Sequence, residues 1–377
     1  MNDTNLSKKK VILGLSGGVD STTAALLLKE KGFEVTGLYF ETSEANGISQ
    51  GRKAAEKAAE QLGIELIYRN AAEDFEKTVI RNFCSEYMKG RTPNPCIICN
   101  PTVKFRLLTE AADAAGAYYI ATGHYARIKR LNEGDAKELP DSEAFSDAQN
   151  GAGYFVRRAK SEKKDQSYML YRLPQSVLSR LILPLGEYES KESVRGLARQ
   201  HSLSNSEAAD SQEICFISDD EGYVNYLKRH GFEKPCGNFL DKDGNVLGKH
   251  KGILNYTVGQ RKGLGITFGR PVFVTEIRSE TNEVILADNE DLFGCEVISS
   301  GNFFTGFENE KGLPRIYEGM RVKAKIRYAA KPSDAVITRL ENGLVKAVFD
   351  VAQRAKTPGQ SIVFYDDDLV IGGGFIE

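Results

Sequence analysis

The sequence predicts an α/β protein in three parts: a parallel-sheet domain over residues 1–220, a small turn-rich domain over 221–280 and a β-barrel over 281–377. Three observations predict it. Strand and helix signals alternate through the first ~120 residues, as in a parallel sheet covered by helices on both faces. Glycine then recurs at 244, 248, 252, 259, 263 and 265, around the turn Asp241-Lys242-Asp243-Gly244-Asn245. From residue 280 onward, short β-type runs at 283–287, 295–298, 320–328, 334–339, 344–349 and 361–365 have the spacing of a small barrel.

Taken in order, the strands of the first domain are 11–15, Phe33 to Phe40, Ile64 to Tyr68 and Tyr118 to Thr122. Between them, Ala54, Ala58 and Leu62 share one helical face, as do Val79, Phe83 and Tyr87. Ligands of such a sheet lie beyond the strand C-termini, where Gly14 to Ser21 and Ala121-Thr122-Gly123-His124-Tyr125 both fall. An acidic, Gly-rich loop over 131–153 joins strands at 124–130 and 153–159. In Val322 to Tyr328, alternation places Lys323, Lys325 and Arg327 on one strand face and apolar groups on the other.

Composition limits the functional classes. The chain has 377 residues, a net charge of −2 and 41% hydrophobic residues. No apolar run approaches the ~18 residues of a membrane span, and the polar start Met1 to Lys10 lacks a signal-peptide core, so the expectation is a cytoplasmic protein with no membrane partner. Six cysteines are too few for a disulfide scaffold and are left for metal binding or catalysis. Charge is segregated. Residues 133–147 carry six acids against one base, 225–265 carry eight bases against three acids, and 319–333 carry five bases and no acid. The two basic stretches are where phosphates are expected.

Gly-Leu-Ser-Gly-Gly-Val-Asp-Ser at 14–21 follows the buried run Val11-Ile12-Leu13 and opens a helix at Thr22 to Leu28. Two adjacent glycines admit an anion to the backbone, and the amides of the new helix point at it. Ser16 and Ser21 add hydroxyls, and Asp20 can hold hydrated Mg2+ against phosphates. No lysine stands where the loop G-x-x-x-x-G-K-S/T places one to reach terminal phosphates. The blander alternative is a Gly-rich turn of a dinucleotide-binding unit. The loop resembles S-G-G-x-D-S of the ATP pyrophosphatases (the PP-loop family, adenine nucleotide hydrolase-like in fold). These enzymes grip pyrophosphate and transfer AMP to a substrate oxygen.

Cys96-Ile97-Ile98-Cys99 lies in a segment stiffened by Pro93 and Pro95, expected to be a loop; zinc, iron–sulfur or redox chemistry would each suit it. Cys215 stands alone in Ile214-Cys215-Phe216-Ile217, where a small core hydrophobe is the commoner fate. Cys84, Cys236 and Cys295 are assigned to that fate.

Seven motifs occur in order: the 14–21 loop, Thr92-Pro93-Asn94-Pro95 with Cys99-Asn100, Ala121 to Tyr125, Lys164-Asp165-Gln166-Ser167-Tyr168, Ile214 to Ile217, Thr257 to Gly265, and Thr357-Pro358-Gly359-Gln360. Together they resemble the bacterial tRNA-specific 2-thiouridylases over essentially the whole chain. Members of that family use ATP to replace the oxygen on carbon 2 of the anticodon wobble uridine with sulfur. The resemblance implies that Gly14, Leu15, Ser16, Gly17, Gly18, Val19, Asp20 and Ser21 hold ATP, with Phe40 and Gly123 framing the adenine. It implies Cys99 as nucleophile and Cys215 as the acceptor of a persulfide from an upstream sulfur-donor protein. Asn94, Pro95 and Cys96 would meet the target base; His124, Lys164, Asp165, Gln166, Arg327, Tyr328 and Gln360 would meet tRNA.

Three positions depart from the family: Cys96 where Asp is common, Phe40-Glu41-Thr42-Ser43 in place of a Met-Lys-x-Trp-like segment, and Glu213 in place of Gly. Cys96 leaves two sulfur routes open. In a persulfide relay Cys99 and Cys215 suffice; alternatively Cys96, Cys99 and Cys215 ligate a 4Fe-4S cluster with one open iron. His124 is read either as an acid or base, or as a phosphate contact, or as a backbone-bonded strand-end residue. Two rival functions remain: an ATP pyrophosphatase amidating or ligating a small molecule, and a non-catalytic RNA- or cluster-binding scaffold.

Overall fold

Val11, Ile12 and Leu13 are almost wholly removed from solvent, and that burial places β1 (Lys10–Gly14) at the centre of a sheet. The computed structural model describes residues 9–43, 48–132, 152–208, 214–217, 220–266, 269–305 and 319–377. Glu213 and the acidic residues 133–147 lie outside the described residues. β1 is flanked on one side by β2 (Glu34–Glu41) and β3 (Glu65–Asn70), and on the other by β4 (Tyr119–Ala121) and β7 (Leu181–Ile182), all parallel. The strand order therefore reverses at β1, and a crevice opens beyond its C-terminal end. Helices α1 (Val19–Glu30) and α2 (Gln50–Leu62) pack here. On α2 the buried face is Ala55, Ala58, Ala59 and Leu62, and Ala54 is exposed, so the stripe is rotated one position from that expected.

One core runs from this sheet through Phe75, Phe83 and Tyr226 into Phe239, Tyr256 and Val274 of the central unit. That unit is a sheet in the order β10 (Phe273–Arg278), β11 (Glu283–Ala287), β8 (Gly237–Leu240), β9 (Val246–His250). The run 283–287, expected in the barrel, pairs instead with β10 and β8. Spacing alone does not say which partner a buried strand will find.

The barrel closes through β12 (Phe293–Phe304), β15 (Val345–Arg354), β14 (Ser333–Arg339), β13 (Met320–Lys325), β16 (Ser361–Asp366) and β17 (Leu369–Ile376), because β12 pairs with both β15 and β17. The hairpin of β5 (Ala126–Asn132) and β6 (Ala152–Arg158) extends the same sheet from the first domain, through Leu369 opposite Arg157. Val322, Ala324 and Ile326 fill the barrel core as alternation requires. The opposite face of β13 differs from the expected open cationic row. Lys325 is buried, its ammonium 5.8 Å from the Tyr168 ring centre and 5.7 Å from that of Tyr328. Among the described residues, no helix is long and apolar enough to cross a membrane.

Candidate functional site

Where β1 ends, Gly17 takes φ +77°, and a side chain there would collide with the backbone of Ala54 and Ala55. The turn closes on itself. The Ser16 N–H donates to Ser21 Oγ (3.2 Å), and the Ser21 and Thr22 hydroxyls donate to the Gly18 carbonyl (3.1 and 3.0 Å). Gly18 starts α1 without a side-chain cap, which leaves the first helical amides to an anion. Leu15 and Val19 are buried, so their side chains hold the loop and only their backbone faces a ligand. Gly123 lies against the backbone of Asp20 and Ser21, closer than any side chain allows. Phe40 is half-buried at the end of β2, at the edge of the core.

Asp20 is held on both oxygens: Tyr125 donates its hydroxyl to Oδ1 (2.8 Å), and Lys191 Nζ sits 3.0 Å from Oδ2. A lysine does reach the loop, from the first turn of α6 (Lys191–Gln200), a helix capped by Ser190. Asn205 donates to the Gly17 carbonyl and to Thr22 Oγ1, both at 2.7 Å. No local motif marks Lys191 or Asn205, because they converge on the loop from far along the chain. The uncapped amides, hydroxyls and single carboxylate suit ATP with Mg2+, an ion held by one or two carboxylates plus the phosphates themselves.

The segment expected to be a loop is a short helix, α4 (Pro95–Cys99), after α3 (Arg81–Met88). Asn94 caps it by accepting the Cys96 N–H (3.1 Å), and Pro95 occupies the first helical position, where its missing N–H costs nothing. Cys96 is half-buried, Cys99 buried and Cys215 exposed, and all three are free thiols. Burial pushes the Cys215 thiol up to about 12, and the charges of Cys96 and Cys99 add to it, so three sulfurs from two distant segments lie within electrostatic reach of one another. Burial also raises Cys96 and Cys99, while the Lys104 ammonium pulls both down. Lys104, at the end of the π-helical turn Asn100–Lys104, is thus the cation the three thiols share, and the motifs did not single it out. Among the described residues no three His, Cys, Asp or Glu side chains stand close enough to hold a metal ion. Cys84 is a core residue, but Cys236 and Cys295 are exposed, contrary to their assignment as core hydrophobes.

His124 follows Gly123 directly in the chain. Its Nδ1 is 2.7 Å from Thr122 Oγ1 and its ring lies over Phe105; burial and the Lys104 charge hold it well below the usual imidazole range. It is neutral near pH 7, which disfavours a role as a cationic phosphate contact.

The remaining expected RNA contacts are placed unequally. Asp165 is buried and accepts the Ala159 N–H (3.0 Å), the Ser167 N–H (3.2 Å) and the Ser167 hydroxyl (3.0 Å), so this carboxylate is turned inward. Gln166 is tied to the Tyr125 backbone through its own N–H and its side-chain oxygen, both at 2.8 Å. Lys164, Arg327 and Tyr328 are half-exposed; Arg327 donates to the Arg354 carbonyl (2.8 Å). Gln360 donates its amide to the Thr92 carbonyl (2.8 Å), next to the thiol segment.

Three family models match in register with this architecture: "tRNA methyl transferase HUP domain" over residues 9–219, "tRNA methyl transferase PRC-barrel domain" over 224–288 and "Aminomethyltransferase beta-barrel domain" over 303–376. The chain is 43% identical over 379 residues to the tRNA-specific 2-thiouridylase MnmA of Clostridioides difficile, covering 98% of each chain. It is 44% identical over 384 residues to that of Clostridium botulinum strain Alaska E43, covering 99% of each, and 43% identical over 386 residues to that of Acetivibrio thermocellus, covering 99% of this chain and 100% of the relative. The solved U34-tRNA thiolase NcsA of Methanococcus maripaludis, with its 4Fe-4S cluster, covers 60% of this chain and 66% of its own at 18% identity and a TM-score of 0.33, too distant to inform the site. Phosphate loop, thiol helix and barrel thus lie within one continuous, full-length similarity, and the chain belongs to the tRNA-specific 2-thiouridylase family.

Proposed function

We propose that this enzyme adenylates the carbon-2 oxygen of the tRNA wobble uridine with ATP and then installs sulfur there. A uracil carbonyl is a poor electrophile with a poor leaving group. Attack of its oxygen on the α-phosphorus of ATP releases pyrophosphate to the loop amides of Gly17 to Ser21 and turns the oxygen into the leaving group AMP. A persulfide on Cys215, supplied by an upstream donor protein, adds through its terminal sulfur to carbon 2, and AMP departs. The Cys99 thiolate then attacks Cys215 Sγ, forming the Cys99–Cys215 disulfide and freeing the outer sulfur as the thiocarbonyl. An external thiol reduces the disulfide for the next turn. No step of this route needs a cluster.

What supports this reading is that Cys99 and Cys215, from distant segments, lie within electrostatic reach of one another and of Lys104, whose charge also reaches His124, while Gly123 next to that histidine touches the phosphate loop. In this reading Asn94, at the head of the thiol helix, and the neighbouring Pro95 would meet the base. The test compares wild type with Cys99→Ala and Cys215→Ala under anaerobic, iron-free conditions with persulfide supplied. Both variants should release pyrophosphate on adding tRNA yet make no 2-thiouridine. Mass spectrometry of the product nucleoside separates oxygen-to-sulfur exchange from methyl addition. Thiolation by Cys215→Ala, or pyrophosphate release indifferent to tRNA, would overturn it.

A further inference from the structure

The barrel spends its last strand on the thiol segment. Arg91 lies three residues before Asn94 and donates hydrogen bonds from both terminal nitrogens of its guanidinium, while its charge faces Glu86. Nε is 2.8 Å from Glu86 Oε2, Nη1 is 2.6 Å from Glu377 Oε2, and Nη2 donates to the Ile376 carbonyl at 3.0 Å. Glu377 also accepts the Ser300 hydroxyl of β12. The next residue is held through its backbone on both sides: the Thr92 N–H donates to the Pro358 carbonyl and the Thr92 carbonyl accepts Gln360, each at 2.8 Å. Gly359, at φ +89°, brings the barrel within 2.9 Å of the Thr92 nitrogen, measured from where a side chain would begin. A cavity of about 260 Å³ opens beside this clasp, and Asn94, Ile98 and Phe375 line it.

We propose that Arg91 is a positioning residue for sulfur transfer: pinned between Glu86 and Glu377, it fixes the segment that carries Asn94, Cys96 and Cys99 against the barrel. This inference rests on the catalytic reading of Cys99 and Cys215. Two features make the clasp act on geometry rather than only on cohesion. Pro93 and Pro95 fix φ on either side of Asn94, so a shift at Arg91 is passed to the thiol helix with little damping. The barrel is also docked elsewhere: the β5–β6 hairpin joins its sheet, and the Tyr168 hydroxyl donates to the Ser361 carbonyl at 2.7 Å. Removing the clasp therefore leaves the domains together and frees the loop. Arginine is needed because its planar fork hydrogen-bonds a carboxylate and a carbonyl while its charge faces a second carboxylate, which a lysine point charge cannot do.

The test uses the full chain with Arg91→Ala, Arg91→Lys, Glu377→Gln and, as a control on the catalytic reading, Cys99→Ala. Single-turnover thiolation, tRNA affinity, ATP affinity and thermal unfolding are measured for each. Small misplacement of reacting groups costs up to about 10²-fold, so Arg91→Ala and Arg91→Lys should each slow thiolation by about ten- to a hundredfold. Glu377→Gln should slow it less, and tRNA and ATP affinities should stay within about twofold. Millimolar methylguanidinium should restore part of the Arg91→Ala rate. If Arg91→Ala and Glu377→Gln thiolate at the wild-type rate while Cys99→Ala is inactive, the clasp has no positioning role. If Arg91→Ala loses tRNA binding, ATP binding and folding together while Glu377→Gln is normal, Arg91 is structural and the proposal is equally overturned. Full activity in Cys99→Ala would instead remove the catalytic reading beneath it.

Discussion

At the scale of single residues, the chemistry depends on the charge state of sulfur. Cys215 is exposed, yet burial of its thiol and the nearby Cys96 and Cys99 push it up to about 12, so it is protonated at neutral pH. Because the thiolate is the nucleophile, alkylation of Cys215 followed by peptide mapping should accelerate about tenfold per pH unit from 7 to 9, without the plateau near 8.5 of an ordinary thiol. A plateau near 8.5 would show that the three thiols do not repress one another. Lys104 is the counterweight, lowering Cys96, Cys99 and Cys215 alike. Lys104→Met keeps the stem and removes the charge. Thiolation should fall about tenfold or more and its pH optimum should move to higher pH, since the thiolate fraction controls reactivity, while Lys104→Arg should keep the profile. An unchanged pH profile in Lys104→Met would separate the cation from the sulfur chemistry. The cysteine pattern was visible in the sequence because C-x-x-C is local. Lys104 was not, because nothing in a sequence says which lysine a folded thiol will face.

At the scale of elements, the meeting of α1 and α6 controls the phosphate loop. Lys191 opens a helix, where a cation opposes the macrodipole, and its place there is explained by Asp20 at 3.0 Å. Lys191→Ala should therefore lower tRNA-dependent pyrophosphate release by about tenfold or more, as loss of a preorganised charge does, yet leave Tm near wild type, because the helix loses an unfavourable charge along with the ion pair. A fall in Tm with normal pyrophosphate release would make the pair a structural tie only. The loop itself was legible because a buried strand, two glycines and a helix start are consecutive. The last barrel strand was not: Gly372, Gly373 and Gly374 look like a break, yet they sit against Phe303, Ile362 and Asn302 atoms where no side chain would fit. The assignment of β11 to the barrel failed for a related reason, since pairing partners are a tertiary choice. Proline misled at Pro95, which here starts a helix instead of breaking one.

At the scale of the whole molecule, the question is where the phosphates of a tRNA land. Sequence counting put two basic stretches forward equally, and folding has made them unequal. On the barrel, Arg321 is 2.7 Å from Asp350, Lys323 is 3.0 Å from Asp334 and Lys325 is buried, so much of that charge is already matched. In the central unit Lys249 on β9 and Lys251, Arg261 and Lys262 in the segment that follows are exposed. Each cation that neutralises a phosphate releases counterions, and its loss flattens the log–log salt dependence of binding by about 0.7 to 0.9. Single substitution to Gln at Lys249, Lys251, Arg261 or Lys262 should therefore each flatten the slope by about that much. Lys323→Gln should change it less, because the lysine it removes is already shared with Asp334. Lys325→Gln should leave the slope alone and act on stability, since its ammonium faces Tyr168 and Tyr328 rather than solvent. Filter binding or fluorescence titration across a salt series checks all of these. Equal slopes for wild type and all four central variants, with a flattened slope for Lys323→Gln, would move the RNA platform from the central unit to the barrel.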